Sequence, residues 1–385
     1  MRLFFSQKED RCEVMSKRIP KIKMFLDTYV PVTTCNFRCH YCYITQQRLF
    51  SRNLPKFVYS PEVVAKAISK ERLGGTCLFN ICGGGETLLP PEMTDYIRII
   101  LEQGHYVMVI TNGTVTKRFD EIVTYPSELL GRLFFKFSYH YLELKQKKIF
   151  NIFFENIRKV RDAGCSFTLE LTPCDEIIPN IDEIRQIAKD RVGADCHVTI
   201  ARDDASPLHD KPILTKLSRP EYEKTWGVFD SDMFKYKLAI FGEQRKEFCY
   251  AGAWSAYLNL GTGIMTQCYC NFATPQNIFE NIERPIKKTP IGYKCSQPHC
   301  YNGHAFLTLG VIPEHEAITY ARIRNKVTDD ESEWLTPLMK GFLSNKLSDT
   351  NEQFTPIQKF LHSMRYSFPA RLPYVVLSKI KKLLV

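Results

Sequence analysis

The sequence predicts an α/β fold arranged as an incomplete barrel of six βα steps, followed by a small cysteine-bearing unit and a helical tail. Three observations predict it. After Pro20, short apolar or β-branched runs alternate with longer segments of helical period, the pattern of βα units with a parallel sheet. Residues suited to capping stand where those helices start and stop: Ser60 precedes Pro61 at one helix start, and Gly104 and Gly164 close two others. Six steps fit into roughly 180 residues, whereas a closed eight-fold barrel needs about 250. In chain order the strand candidates are 25–30, 76–81, 106–111, 133–139, 166–172 and 196–201, with helices starting near Pro61, Pro91, Lys117, Asn151 and Ile181. A polar stretch after Arg202, rich in Asp and Pro, ends this pattern, and a boundary is placed near Gly242. The expected units are a lead at 1–24, the partial barrel at 25–241, the cysteine-bearing unit at 242–315 and a basic helical tail at 316–385.

Composition narrows the function classes. The chain has 385 residues, 44% hydrophobic and 24% charged, which excludes disorder as its main state. The first twenty residues carry mixed charge, unlike a secretory signal, and no apolar run is long enough to span a bilayer, so a cytoplasmic location is expected. Lys+Arg 52 against Asp+Glu 42 gives +10, enough to favour an anionic substrate and thin for a nucleic-acid binder, so no nucleic-acid partner is expected. From Thr355 to Val385 six basic residues stand without an acid, and that tail suits either a membrane surface, an anionic partner or a solvated helix face.

Fourteen cysteines are the most informative feature, because a cytoplasmic chain does not use them as a disulfide framework. Cys77, Cys82, Cys165 and Cys196 lie in or beside apolar runs and read as small core residues. Cys35, Cys39, Cys42, Cys249, Cys268, Cys270, Cys295 and Cys300 lie in loop-like stretches and read as ligand candidates. The first three form a Cys-x3-Cys-x2-Cys triplet directly after the first strand, at the end where α/β barrels place their active sites. Three thiolates can hold three irons of a [4Fe–4S] cluster and leave the fourth open, while zinc with His40 as fourth ligand is the rival reading.

The triplet, with Tyr41 before its last cysteine, resembles that of the radical S-adenosylmethionine superfamily. The resemblance implies that the open iron chelates the cofactor and that an electron from the cluster cleaves it to a 5′-deoxyadenosyl radical, which abstracts a substrate hydrogen. A second stretch, Gly83-Gly84-Gly85-Glu86-Thr87 at the end of the second strand, is similar to the family's Gly-Gly-Glu-Pro loop for the cofactor's amino group, with Thr87 in place of proline. Glycines let the backbone approach a charged ligand, and a carboxylate pairs with an ammonium. The same resemblance makes Asn112, Ser138, Glu170 and Arg202, near the ends of later strands, candidate cofactor contacts beside Gly84, Gly85, Glu86 and Thr87.

Further on, Cys249, a gap of thirteen and Gly263-x4-Cys268 resemble the opening of the SPASM and Twitch extensions of such enzymes, where a hairpin holds an auxiliary cluster. Five cysteines stand in this stretch against the seven of a full SPASM module, so one auxiliary [4Fe–4S] cluster is expected on Cys249, Cys268, Cys295 and Cys300, with Cys270 spare. Zinc on the same four residues is the alternative. Taken together, the resemblance implies a TIM-like partial (β/α)6 barrel, S-adenosylmethionine and two [4Fe–4S] clusters as cofactors, and an electron donor such as flavodoxin or ferredoxin. It also implies an oxidoreductase or maturase acting on a peptide or protein side chain or on a sugar-type small molecule. No catalytic acid or base is assigned. An iron–sulfur electron carrier needs neither an open iron nor a cofactor amino-group loop, which sets that alternative apart.

Overall fold

A computed structural model describes residues 19–270, 274–293, 295–300 and 318–367. Nine strands form one sheet: β1 Met24–Val30, β2 Cys77–Gly83, β3 Tyr106–Thr111, β4 Leu133–Tyr139, β5 Ser166–Leu171, β6 His197–Val198, β7 Ser255–Asn259, β8 Ile264–Thr266 and β9 Gln276–Asn277. Their order is β6-β5-β4-β3-β2-β1-β7-β8-β9. The first six strands are parallel neighbours in sequence order, and β6 does not pair with β1, so the six-step barrel is partial, as expected. Strand β6 is two residues long where six were expected, because the chain leaves the sheet after Val198.

The sheet does not stop at the boundary placed near Gly242. Strand β7 pairs in parallel with β1, through Phe25–Ser255 to Tyr29–Asn259, and β8 and β9 continue antiparallel from it. Gly263, at φ +74, turns the chain between β7 and β8; a side chain there would strike Asn277 Oδ1 at 2.5 Å.

Period-two alternation divides the sheet's buried residues into two cores. Leu26, Phe79, Val107, Phe135 and Leu169 face the surrounding helices, among them Met93–Glu102 and Phe150–Asp162. Phe25, Leu78, Tyr106, Met108 and Phe134 face inward at the start of the strands. There the short helices Tyr320–Arg324 and Pro337–Leu343 close the barrel floor, with Phe342 stacked on Tyr106 at 3.6 Å between centroids. The chain after 316 is therefore part of the core up to Leu347; the basic residues from Arg371 onward lie outside the described residues. No helix among the described residues is long and apolar enough to cross a membrane.

His105 fastens the outer layer. Its Nε2 hydrogen donates to the carbonyl of Ile68 at 2.7 Å, and its Nδ1 accepts from the amide of Cys77 at 3.1 Å, which defines the tautomer. Burial depresses this imidazole from 6.5 to about 4. A folded value below the unfolded one means the stabilisation is complete above about pH 6.5 and drains as the pH falls towards 4. Histidine-selective NMR is expected to show His105 as the neutral Nε2–H form at pH 5.5, and its protonation below that is expected to cost on the order of 3 kcal/mol of stability. An imidazolium signal from His105 at pH 6 would overturn this account.

Candidate active site

The carboxyl ends of β1, β2, β3 and β4 open into one cavity. Cys35, Cys39 and Cys42 line it together with Gly84, Gly85, Glu86, Thr87, Asn112 and Ser138. The triplet and the glycine-glutamate loop, adjacent only through the β1–β2 pairing, thus share one chamber.

Each part of the chamber has a local cause. Gly85 lies so close to the cysteine loop that a Cβ would fall 2.0 Å from the carbonyl oxygen of Thr34, and its amide donates to the carbonyl of Val32 at 2.6 Å. Thr87, standing in place of proline, closes the same turn by accepting from the amide of Gly83 at 2.9 Å. The buried carboxylate of Glu86 accepts from the Thr111 hydroxyl at 2.6 Å, the Asn112 amide at 2.7 Å and the Leu88 amide at 3.0 Å. These bonds tie the end of β2 to the end of β3. Asn112 carries the tie onward, its side-chain amide donating to Asn36 Oδ1 at 2.7 Å with Cys35 Sγ at 3.9 Å.

Burial pushes the Cys35 thiol up to about 11, with the Glu86 charge adding to the effect, and it raises Cys39 and Cys42 as well. Three clustered thiols that resist ionisation by themselves are what a bound cationic centre deprotonates. All three line the one cavity. They fit a multi-iron cluster that takes one thiolate per iron. His40, the rival fourth ligand, turns to Glu176, with Nε2 3.1 Å from Oε2, and lies near Cys174.

Two expected cofactor contacts lie elsewhere. Glu170 is absent from the cavity lining; its carboxylate is engaged by Lys136 at 2.5 Å and by Arg324. Arg202 is likewise off the lining: its carbonyl accepts from Gln46 Nε2 at 3.0 Å, and its guanidinium bonds Tyr269. Cys82, read from the sequence as a core thiol, lines the cavity, as does His140, whose Nδ1 lies 2.8 Å from the Tyr41 hydroxyl. Sequence reasoning missed His140 because a histidine after a strand carries no spacing signal.

The second cysteine set also converges. Cys249 lies before β7, held by a bridge to Gly292, and Cys268 follows β8, so the thiols stand off the ends of the hairpin. Cys249, Cys268 and Cys295 lie within electrostatic reach of one another, Cys270 bonds Cys268, and Cys300 adjoins Cys270. Burial raises Cys249 to about 12.

Comparison with known proteins gives one family match: residues 29–174 match the model described as the radical SAM superfamily. These residues form a radical SAM domain. No curated protein matches the chain. Among solved structures, SuiB of Streptococcus suis bound to S-adenosylmethionine is 13% identical, covering 71% of this chain and 68% of its own at TM-score 0.46. Native anSMEcpe with bound AdoMet and Cp18Cys peptide is 14% identical, covering 90% and 97% at TM-score 0.46. BtrN in complex with AdoMet and 2-DOIA is 12% identical, covering 68% and 84% at TM-score 0.31.

The Gly85→Ala variant is expected to lose about 1–3 kcal/mol in urea unfolding and to retain less iron after reconstitution, because its methyl group would displace the Thr34 carbonyl and the cysteine loop with it. Gly227→Ala, at a helix end with open space around the site, is the control expected to change neither. Equal behaviour of the two variants would sink the close-approach argument.

Proposed function

Because residues 29–174 form a radical SAM domain, we propose that this chain is an enzyme that cleaves S-adenosylmethionine reductively and abstracts a hydrogen atom from a substrate held in the barrel. The observation that carries the reading is the meeting of Cys35, Cys39 and Cys42 with the Gly83–Thr87 loop in one cavity. Cys35, Cys39 and Cys42 would hold the [4Fe–4S] cluster. When bound, the cluster and S-adenosylmethionine together supply a carbon-centred radical able to take hydrogen from an unactivated C–H bond.

The protein's own contribution is to hold and to exclude. Glu86 and Asn112 keep the ends of β2 and β3 against the cysteine loop. The glycines leave backbone exposed to a ligand's charged amino group, and Asn112 and Ser138 offer polar contacts from the next two strands. Phe37 and Ile44 give the same cavity apolar walls that keep water from a reactive intermediate.

A SPASM- or Twitch-like role for the second set is part of the same reading. Cys249, Cys268, Cys295 and Cys300 would ligate one auxiliary [4Fe–4S] cluster, with Cys270 as an exchange ligand. A reduced flavodoxin- or ferredoxin-type protein would supply electrons. The substrate class proposed is a peptide or protein side chain or a sugar-type small molecule, modified or oxidised in an oxidoreductase or maturase reaction.

After anaerobic reconstitution the chain is expected to hold about eight irons and to form 5′-deoxyadenosine under dithionite. Replacing any of Cys35, Cys39 or Cys42 with Ala is expected to abolish that product; retained turnover would refute the assignment. Cys249→Ala is expected to drop iron towards four while some cleavage persists, and an unchanged iron content would remove the second cluster.

A further inference from the structure

Below the cavity, the inner face of the sheet carries a charge cluster that neither the fold nor the cofactor chemistry accounts for. Lys136 lies on β4 two residues before Ser138 and on the same face, with its ammonium 2.5 Å from Glu170 Oε1. Arg324, from the helix that closes the floor, takes the other oxygen of Glu170. Lys237, from the helix Asp232–Ile240, reaches into the same cluster, and its hydrogen bond is to the neutral hydroxyl of Thr199 at 2.5 Å. Arg202 adds a fourth positive charge within reach of Lys237. Asp204 pairs with Arg202 at 3.9 Å, which leaves Glu170 to the other three cations. Glu170 is held well below the carboxylate range by Lys136 and Arg324 despite its burial, and Asp27, bonded by Asn80 at 2.9 Å, is raised to about 6 by burial.

The cluster is therefore short of negative charge. A desolvated ammonium that shares one carboxylate with two other cations is costly, and burial lowers Lys237 to about 7, with Glu170 opposing the effect and Lys136, Arg324 and Arg202 adding to it. The buried Nε of Arg324 has no hydrogen-bond partner either. The cluster lies one layer below the residues that line the chamber: the Lys136 side chain is 14% exposed, and its charge reaches the Cys82 thiol and the His140 imidazole, both on the cavity wall.

We propose that Lys136 and Lys237 form an oxyanion subsite on the floor of the chamber that receives a carboxylate or phosphate group of the substrate. Glu170 and Arg324 position the ammonium groups; they do not meet the ligand. The inference rests on reading this chamber as the substrate site of a radical enzyme. It narrows both proposed substrate classes to members with an acidic side chain, a free carboxylate or a phosphorylated sugar.

The test is equilibrium dialysis of the reconstituted protein, saturated with S-adenosylmethionine, against labelled inorganic phosphate and, separately, labelled acetate at constant ionic strength. One anion per chain is expected, and the tighter of the two identifies the oxyanion. Lys136→Met and Lys237→Met are expected to weaken it at least tenfold, Lys237→Arg to keep it within about threefold, and Lys235→Met on the exposed face of the same helix to leave it unchanged; thermal melts identify any variant that fails to fold. No saturable binding, or equal binding in both Met variants, would overturn the subsite. Formation of 5′-deoxyadenosine by the same wild-type preparation separates the two readings. Cleavage without anion binding removes the subsite alone, and anion binding without cleavage removes the radical chemistry alone.

Discussion

The geometry of the chamber depends on one buried carboxylate. Glu86 gathers the Thr111 hydroxyl and the amides of Asn112 and Leu88, so the loop after β2 cannot move without the turn after β3. Asn112 then grips Asn36 inside the cysteine loop, and Gly85 allows Val32 and Thr34 to lie against the glycine stretch. Three consecutive strand ends are thereby locked around the triplet. Burial raises Glu86 above the usual carboxylate range, and the three donors offset that desolvation. A network of this kind is stabilising only when complete, which makes it a determinant of local shape more than a source of net stability.

The open sheet asks for something at both ends of its interior. At the strand starts, Phe25, Leu78, Tyr106 and Phe134 need an apolar cover, and the helices after Tyr320 supply it. At the strand ends the interior turns polar, with Asp27 beside Asn80 and Lys136 two residues from Ser138. Arg324 joins the two levels: it belongs to the covering helix and ends on Glu170 in the polar layer. The chain's last described segment is thus coupled to the chamber through a buried ion pair, whose rupture would strand a charge away from water.

How much of this was legible in the sequence follows from the range over which each signal acts. The alternation of apolar runs marked β1 to β5 to within two residues at either end, because strand period and helix caps are local. The cysteine triplet and glycine loop were legible because their chemistry demands fixed spacing. That Glu170 and Arg202 stand off the cavity lining was not legible, because residue type at a strand end says nothing of what lies across the barrel; for Glu170 the partner is Arg324, 154 positions away. Lys237 was silent for the same reason, since a lysine in a helix reads as solvated until tertiary packing turns it inward. The parallel pairing of β7 with β1 carries the sheet past the boundary placed near Gly242, a long-range contact that composition does not encode.

That pairing also determines how the two cysteine sets stand to each other. Because β7 lies beside β1, the loop carrying Cys35 to Cys42 and the hairpin leading to Cys268 leave adjacent strands. Arg202 spans the gap, its carbonyl on Gln46 just past Cys42 and its guanidinium on Tyr269 between Cys268 and Cys270. Arg202 is paired there with Asp204 at 3.9 Å. Its position accounts for an arginine kept off the cofactor cavity yet held within the proposed active centre.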